Sequence, residues 1–252
     1  MRWLDDGTAN SDNDKRNKYR RADKMRAILL AAGMGTRLRP ITLTTPKSLI
    51  EINGKPMLEK QIEFLKEVGV HEIIVVTGYL AEKFEYLKEK YGVKLVHNDK
   101  YDVYNNIYTM YLVREYLPNS YVIDADNYLN RNFLLESPKT SMYFSARKPE
   151  FKNEWMIRFD DHYKITDLIP GDGANDYILC GVSYWTEEDG RYIVKKLEEA
   201  VAGGDFKNLY WDDIVKDNIR KLNVYLHEIH PNDSYEIDSL EDLEKVKKLV
   251  EK

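Results

Sequence analysis

The chain has 252 residues, 43% of them hydrophobic, with a net charge of −5 at pH 7 and an isoelectric point near 5.7. That length suits one substantial core, and the acidic balance gives no bulk attraction to nucleic acid, so no nucleic-acid partner is expected. No apolar run is long enough to insert in a membrane and no secretory leader is expected; the single cysteine, Cys180, excludes an internal disulfide framework and suits a reducing cytoplasm.

Residues 1–24, "MRWLDDGTANSDNDKRNKYRRADK", are polar, densely charged and almost without aliphatic side chains. They read as an extension or linker ahead of a single domain over 25–252, and the interleaved aspartates argue against a basic nucleic-acid arm at 15–24. From Met25 the pattern alternates. "RAILLAA" predicts a buried strand, "MLEKQIEFLKEVGV" an amphipathic helix closing near Gly69, and "EIIVVTG" a second strand. "AEKFEYLKEKYG" predicts a second helix and "VKLVHN" a third strand; a helix over 106–116 and a fourth strand, "SYVIDAD", follow. Strands and helices alternating at this spacing imply crossover units, a mostly parallel sheet and helices on both faces. The second half is richer in strands. "SMYFSAR", "EWMIRFD", "YKITDLI" and "YILCGVSYW" predict a smaller antiparallel extension, with helices over 187–200, 211–220 and 240–250.

The loop after the first strand reads Gly33-Met-Gly35-Thr-Arg37-Leu-Arg39-Pro40. A dinucleotide fingerprint would need a third glycine and a helix starting at once, and Pro40 forbids a regular continuation. No Gly-Lys-Ser/Thr follows, so it is no Walker loop either. What remains is a glycine-permissive loop at a strand's carboxyl end, its N–H groups free to face an anion and Arg37 and Lys47 adding positive charge. Such a loop suits a nucleoside triphosphate attacked at its α-phosphorus, because departing pyrophosphate needs fixed positive charge. A turn-rich surface loop with solvated cations is the plainer alternative.

Carboxylates recur at other strand ends. "VIDADNY" places Asp124 and Asp126 on one face where open α/β sheets bind ligands, and "SYEIDSLEDL" offers Glu236 and Asp238. Asp238 also has the plain alternative of capping the last helix. Carboxylates beside phosphate oxygens are what Mg²⁺ takes. "NEW" (153–155), "NLYWDD" (208–213) and "SYEIDS" (234–239) set aromatic rings beside acids, which suits a quaternary ammonium held on ring faces. A neutral sugar would ask for more amide and backbone donors. Trp155 and Trp211 taken singly fit equally well as core residues.

The motifs "GMGTRLRP", "PKSL" and "GKPM" resemble the signature of nucleotidyltransferases that join a nucleoside monophosphate to a phosphorylated small molecule. With "QIEFLKE", "GYL", "LKEKYGV", "NDKY", "YNN", "SYVIDADNYL", "LYWDD", "VKDNI" and "YEIDS", the stretch from Met25 onward resembles the bacterial CTP:phosphocholine cytidylyltransferase family. The resemblance implies a Rossmann-like fold and CTP and phosphocholine as substrates, with Mg²⁺ on Asp126 and Asp238. It implies a nucleotide site at Ala32, Gly33, Gly35, Thr36, Arg37 and Lys47, with cytosine near Tyr79, Asn105 and Asn106. The choline ammonium would fall to Trp155, Tyr210, Asp212 and Glu236, with Trp211 beside them. Arg37, Lys47 and Asp126 would carry the catalysis. Two rival readings stay open at this level: another acceptor (2-aminoethylphosphonate, inositol 1-phosphate or a sugar 1-phosphate), or a nucleotide-sensing module without turnover.

Overall fold

A computed structural model describes residues 24–250, so the expected extension over 1–24 lies outside the described residues except for Lys24. The strands are β1 (Arg26–Ala31), β2 (Glu51–Ile52), β3 (Lys55–Pro56), β4 (Glu72–Thr77), β5 (Lys94–His97), β6 (Ser120–Asp124) and β7 (Asn127–Leu129), followed by β8 (Ser141–Lys148), β9 (Phe151–Phe159), β10 (Ile165–Gly173), β11 (Asp176–Trp185), β12 (Val224–Glu228) and β13 (Ser234–Glu236). Nine of them form one sheet in the order β10-β9-β11-β6-β1-β4-β5, with β8 also on β11 and β12 on β8. β1 is parallel to both β4 and β6, and β4 to β5, as crossover helices demand. β11 then joins β6 antiparallel, so the strand-rich second half continues the main sheet.

Both faces of the central strands are buried, which is why they read as unbroken apolar runs. On one face Ala27, Leu29, Ile73 and Val75 pack under Leu58, Ile62 and Leu65 of helix Met57–Glu67. On the other, Ile28, Ile74 and Val76 meet Ile107 and Met110 of helix Asn106–Val113, and Ile193 and Leu197 of helix Glu187–Gly203. A third cluster joins Leu38, Ile50, Ile52 and Met57 to Ile237, Leu243 and Val246, which fastens helix Leu240–Val250 onto the glycine-rich loop.

Three departures from the sequence expectations bear on the site. The helix expected over 81–92 is a 3₁₀ turn, Ala81–Phe84, then helix Tyr86–Tyr91, with Leu80 at φ 51° ahead of them. β12 is a strand the periodicity did not single out, and it pairs parallel with β8. A two-stranded pairing of β7 with β13 sets Asn127 opposite Glu236, joining the middle of the chain to its end.

Candidate active site

β1 and β6 run parallel with Leu30 opposite Asp124, so their carboxyl ends lie side by side. A cavity of about 860 Å³ opens there, large enough for a nucleotide and a small second ligand. Its walls come from the loop after β1, the turn after β6, β9, the middle of β11, and residues 208–213.

The loop is shaped by its packing. Gly35, at φ 59°, opens the 3₁₀ turn Thr36–Leu38, and a Cβ there would lie 3.0 Å from Lys47 Cβ and 3.1 Å from Thr42 Cγ2. The Thr42 hydroxyl donates to Gly35 O at 2.8 Å, and Leu38 is fully buried. Anchored on both sides, the loop lines the cavity with Ala32, Gly33, Gly35, Thr36 and Arg37, and Lys47 joins them.

The turn after β6 is held from below. Ala125 N–H donates to Leu30 O at 3.1 Å, while the buried Gln61 amide donates to Asp124 O at 3.2 Å and Asn127 O at 2.7 Å. Ile237 N–H donates to Asp126 O at 3.1 Å, which sets Asp238 beside Asp126. Asp238 does not cap the last helix. Ser239 Oγ accepts from Asp242 N–H at 3.1 Å, and Asp242 Oδ2 accepts from the N–H groups of Asp238 and Ser239, leaving the Asp238 carboxylate to the cavity.

A cation already lies between the two aspartates. Lys47 Nζ is 2.9 Å from Asp126 Oδ2 and 2.6 Å from Asp238 Oδ1, and Arg37 Nη2 is 2.8 Å from Asp238 Oδ2. Burial alone would lower the pKa of Lys47, but Asp126 and Asp238 outweigh it and raise it. Seven carboxylates line the cavity against three cationic side chains, so the site as a whole is short of positive charge. The strain shows in the acids. Burial, reinforced by Asp126, Asp212 and Glu236, pushes Asp124 well above the carboxylate range. Glu236 has open surface within the cleft, yet its depth and then Asp126 and Asp238 push it up to about 8. Burial and Asp238 push Glu154 up to about 7.

These groups fit a divalent ion. One carboxylate oxygen from each of Asp126, Glu236 and Asp238 lies within 4.8 Å of the other two, and an all-oxygen donor set suits a hard cation. Glu236 therefore stands with the two aspartates, in the same cavity as Trp155 and Tyr210.

Another wall of the cavity is built of rings. Trp155 and Tyr210 meet edge to face at 6.4 Å, and Tyr210 is 47% exposed. Trp211 lines the same cavity but is nearly buried, edge-on to Trp185 at 5.8 Å. Asp212 accepts a 2.7 Å bond from the Tyr143 hydroxyl; burial pushes its carboxyl up to about 7 although that bond opposes the shift.

Of the residues expected near cytosine, Asn105 and Asn106 lie in the cavity lining and Tyr79 does not. Tyr79 is not among the cavity-lining residues; its N–H donates to Ala32 O at 3.2 Å, and its ring lies 6.3 Å from that of Tyr101, which does line the cavity. Asn105 and Asn106 line the cavity, but their side chains are engaged with the protein, Asn105 with Asn208 and Asn106 with Trp211. Tyr143, Gln61 and Gly181 adjoin the cavity residues though the sequence reading did not single them out, and Glu154 entered it only within the stretch 153–155. Gly181, at φ 64°, sits where β11 slips register against β8, and a Cβ there would collide with Asn127 Nδ2 and come within 3.0 Å of Asp124 Oδ2. A polar residue on the buried face of an apolar-striped helix was a usable sign for Gln61; Tyr143 carried none, since it reads as core.

Comparison with known proteins gives concordant matches. Residues 27–122 match the MobA-like NTP transferase domain family. The choline-phosphate cytidylyltransferase of Streptococcus pneumoniae is 52% identical over 226 residues, covering 90% of this chain and 98% of that protein. The choline-phosphate cytidylyltransferase of Haemophilus influenzae is 41% identical over 220 residues, covering 86% and 94%. The solved structure of the S. pneumoniae CTP:phosphocholine cytidylyltransferase superposes with a TM-score of 0.88 at 51% identity, over 90% of this chain and 99% of that one.

Proposed function

The chain belongs to the choline-phosphate cytidylyltransferase family, and from that premise we propose that it transfers CMP from CTP to phosphocholine, giving CDP-choline and pyrophosphate. The observation that carries this reading is one cavity shared by the glycine-rich loop, the Asp126–Asp238 pair and the Trp155–Tyr210 ring pair. Triphosphate, divalent ion and quaternary ammonium each have a matching wall. The lone buried thiol of Cys180 supports a cytoplasmic location.

The second pKa of a phosphate monoester is about 6, so phosphocholine is mostly dianionic at neutral pH and needs no general base. One of its phosphate oxygens bonds to the α-phosphorus of CTP in line, while the bond from the α-phosphorus to the α–β bridging oxygen breaks and pyrophosphate leaves. Arg37 and Lys47 meet the charge that builds on the α-phosphoryl and departing oxygens. Asp126 and Asp238, with Glu236 beside them, would hold Mg²⁺, which when bound supplies the positive charge that polarises the phosphoryl group. Backbone N–H groups of Gly33 to Arg37 bind and orient the triphosphate. Trp155 and Tyr210 offer ring faces to the trimethylammonium, and Asp212 supplies a counter-charge held in place by Tyr143.

The test is a matrix of CTP, UTP, ATP and GTP against phosphocholine, 2-aminoethylphosphonate, inositol 1-phosphate and glucose 1-phosphate, scored by pyrophosphate release with Mg²⁺. CTP with phosphocholine is expected to give the highest kcat/KM. A higher value for another acceptor moves the assignment to that acceptor, and no release with any pair favours the nucleotide-sensing module.

A further inference from the structure

Asn105 and Asn106 sit at the start of helix Asn106–Val113, and three long-range bonds run from them to the segment before and into helix Trp211–Asn218. Asn105 N–H donates to Lys207 O at 3.0 Å and Asn105 Nδ2 to Asn208 O at 3.3 Å; Asn106 Oδ1 accepts from Trp211 N–H at 2.9 Å. Trp211 opens its helix, so its N–H has no partner within that helix and must find an oxygen elsewhere. That need fixes the orientation of the Asn106 amide, because only its oxygen can accept. The next residues form the acceptor wall: Tyr210 against Trp155, and Asp212 under the Tyr143 hydroxyl.

We propose that Asn106 is a positioning residue for the acceptor side of the cavity, setting the start of helix Trp211–Asn218 and with it Tyr210 and Asp212. The bond needs an acceptor at Oδ1, so aspartate in its place keeps the bond and alanine removes it. Losing one such bond leaves the Trp211 N–H unsatisfied and lets the ring and carboxylate drift from the ammonium, while the glycine-rich loop, held by Thr42 and the Leu38 cluster, is untouched. This rests on the reading of the Trp155–Tyr210 wall as the phosphocholine site.

Two measurements on the full chain separate this inference from that reading. Steady-state kinetics of Asn106→Ala is expected to show a phosphocholine KM raised roughly three- to tenfold while the CTP KM stays within about twofold. Hydrogen–deuterium exchange needs no substrate. Residues 207–213 are expected to exchange faster in Asn106→Ala and at the wild-type rate in Asn106→Asp, with the central strands unchanged in both. A larger rise in the CTP KM than in the acceptor KM, or exchange over 207–213 that matches wild type in the alanine variant, overturns the proposal. Wild-type protein inert toward phosphocholine would instead sink the functional reading, with the exchange result still deciding the role of Asn106.

Discussion

The Lys47 ammonium lies 2.6 Å from the Asp238 carboxylate, and it is Asp126, at 2.9 Å on the same nitrogen, that makes this contact a bridge. Two carboxylates from distant parts of the chain share one side-chain cation, with Arg37 against the outer oxygen of Asp238. The lysine stands where two acids would otherwise repel each other, and its Cβ packs beside Gly35 of the glycine-rich loop.

Replacing it tests both roles. Lys47→Met should lower kcat by roughly 10²–10³-fold, the loss typical of one transition-state charge donor. Without the built-in counter-charge the carboxylates should also respond more to an added cation, so Mg²⁺ should raise the Tm of the variant by more than it raises that of wild type. Calorimetry with and without Mg²⁺ checks this; equal rises would show that the lysine does not share the ion's place.

The ring wall makes a separate prediction. A desolvated cation over a ring face is worth about 2 kcal/mol, which is about 30-fold in affinity. Trp155→Ala should therefore raise the phosphocholine KM by up to about 30-fold and leave the CTP KM nearly unchanged. Equal rises in both constants would remove Trp155 from the acceptor site.

Asp212 predicts a pH dependence whose sign is fixed. Its carboxyl is pushed up to about 7, first by burial, so it is ionised above that pH and neutral below it. Only the ionised form attracts an ammonium, so the phosphocholine KM should be lowest above about pH 7 and rise as pH falls toward 6. Phosphocholine itself titrates near 6, so the comparison is with Asp212→Asn, which should show a higher KM and lack the inflection that belongs to the protein. Parallel profiles for the two proteins would refute the assignment.

Much of the site was readable because its residues sit where chain-local rules operate. Glycines and a proline mark the loop, and Asp126 and Asp238 follow strand-end stretches whose periodicity is plain. The sheet was legible for the same reason: β1, β4 and β6 are apolar on both faces. What failed to show was set by pairing at long range. Nothing local says that β7 pairs with β13 or that β12 joins β8, and without the first pairing Glu236 cannot be seen to stand with the two aspartates. Asn106 is the sharpest case. Its place in the sequence marks it for the cavity, but nothing local shows that its oxygen accepts from the backbone N–H of Trp211. Tyr143 reads as core and is core, and only its hydroxyl, turned to Asp212, gives it a part in the site.

The most direct test follows phosphorus itself. A ³¹P NMR time course of CTP with phosphocholine and Mg²⁺ should show the phosphocholine monoester resonance give way to a pair of diphosphate resonances, with one pyrophosphate for each CTP consumed. Asp126→Asn, compared at matched Tm, should leave both substrates unchanged. Persistence of the monoester resonance while CTP is consumed by wild type, or turnover by the variant near the wild-type rate, would contradict the account.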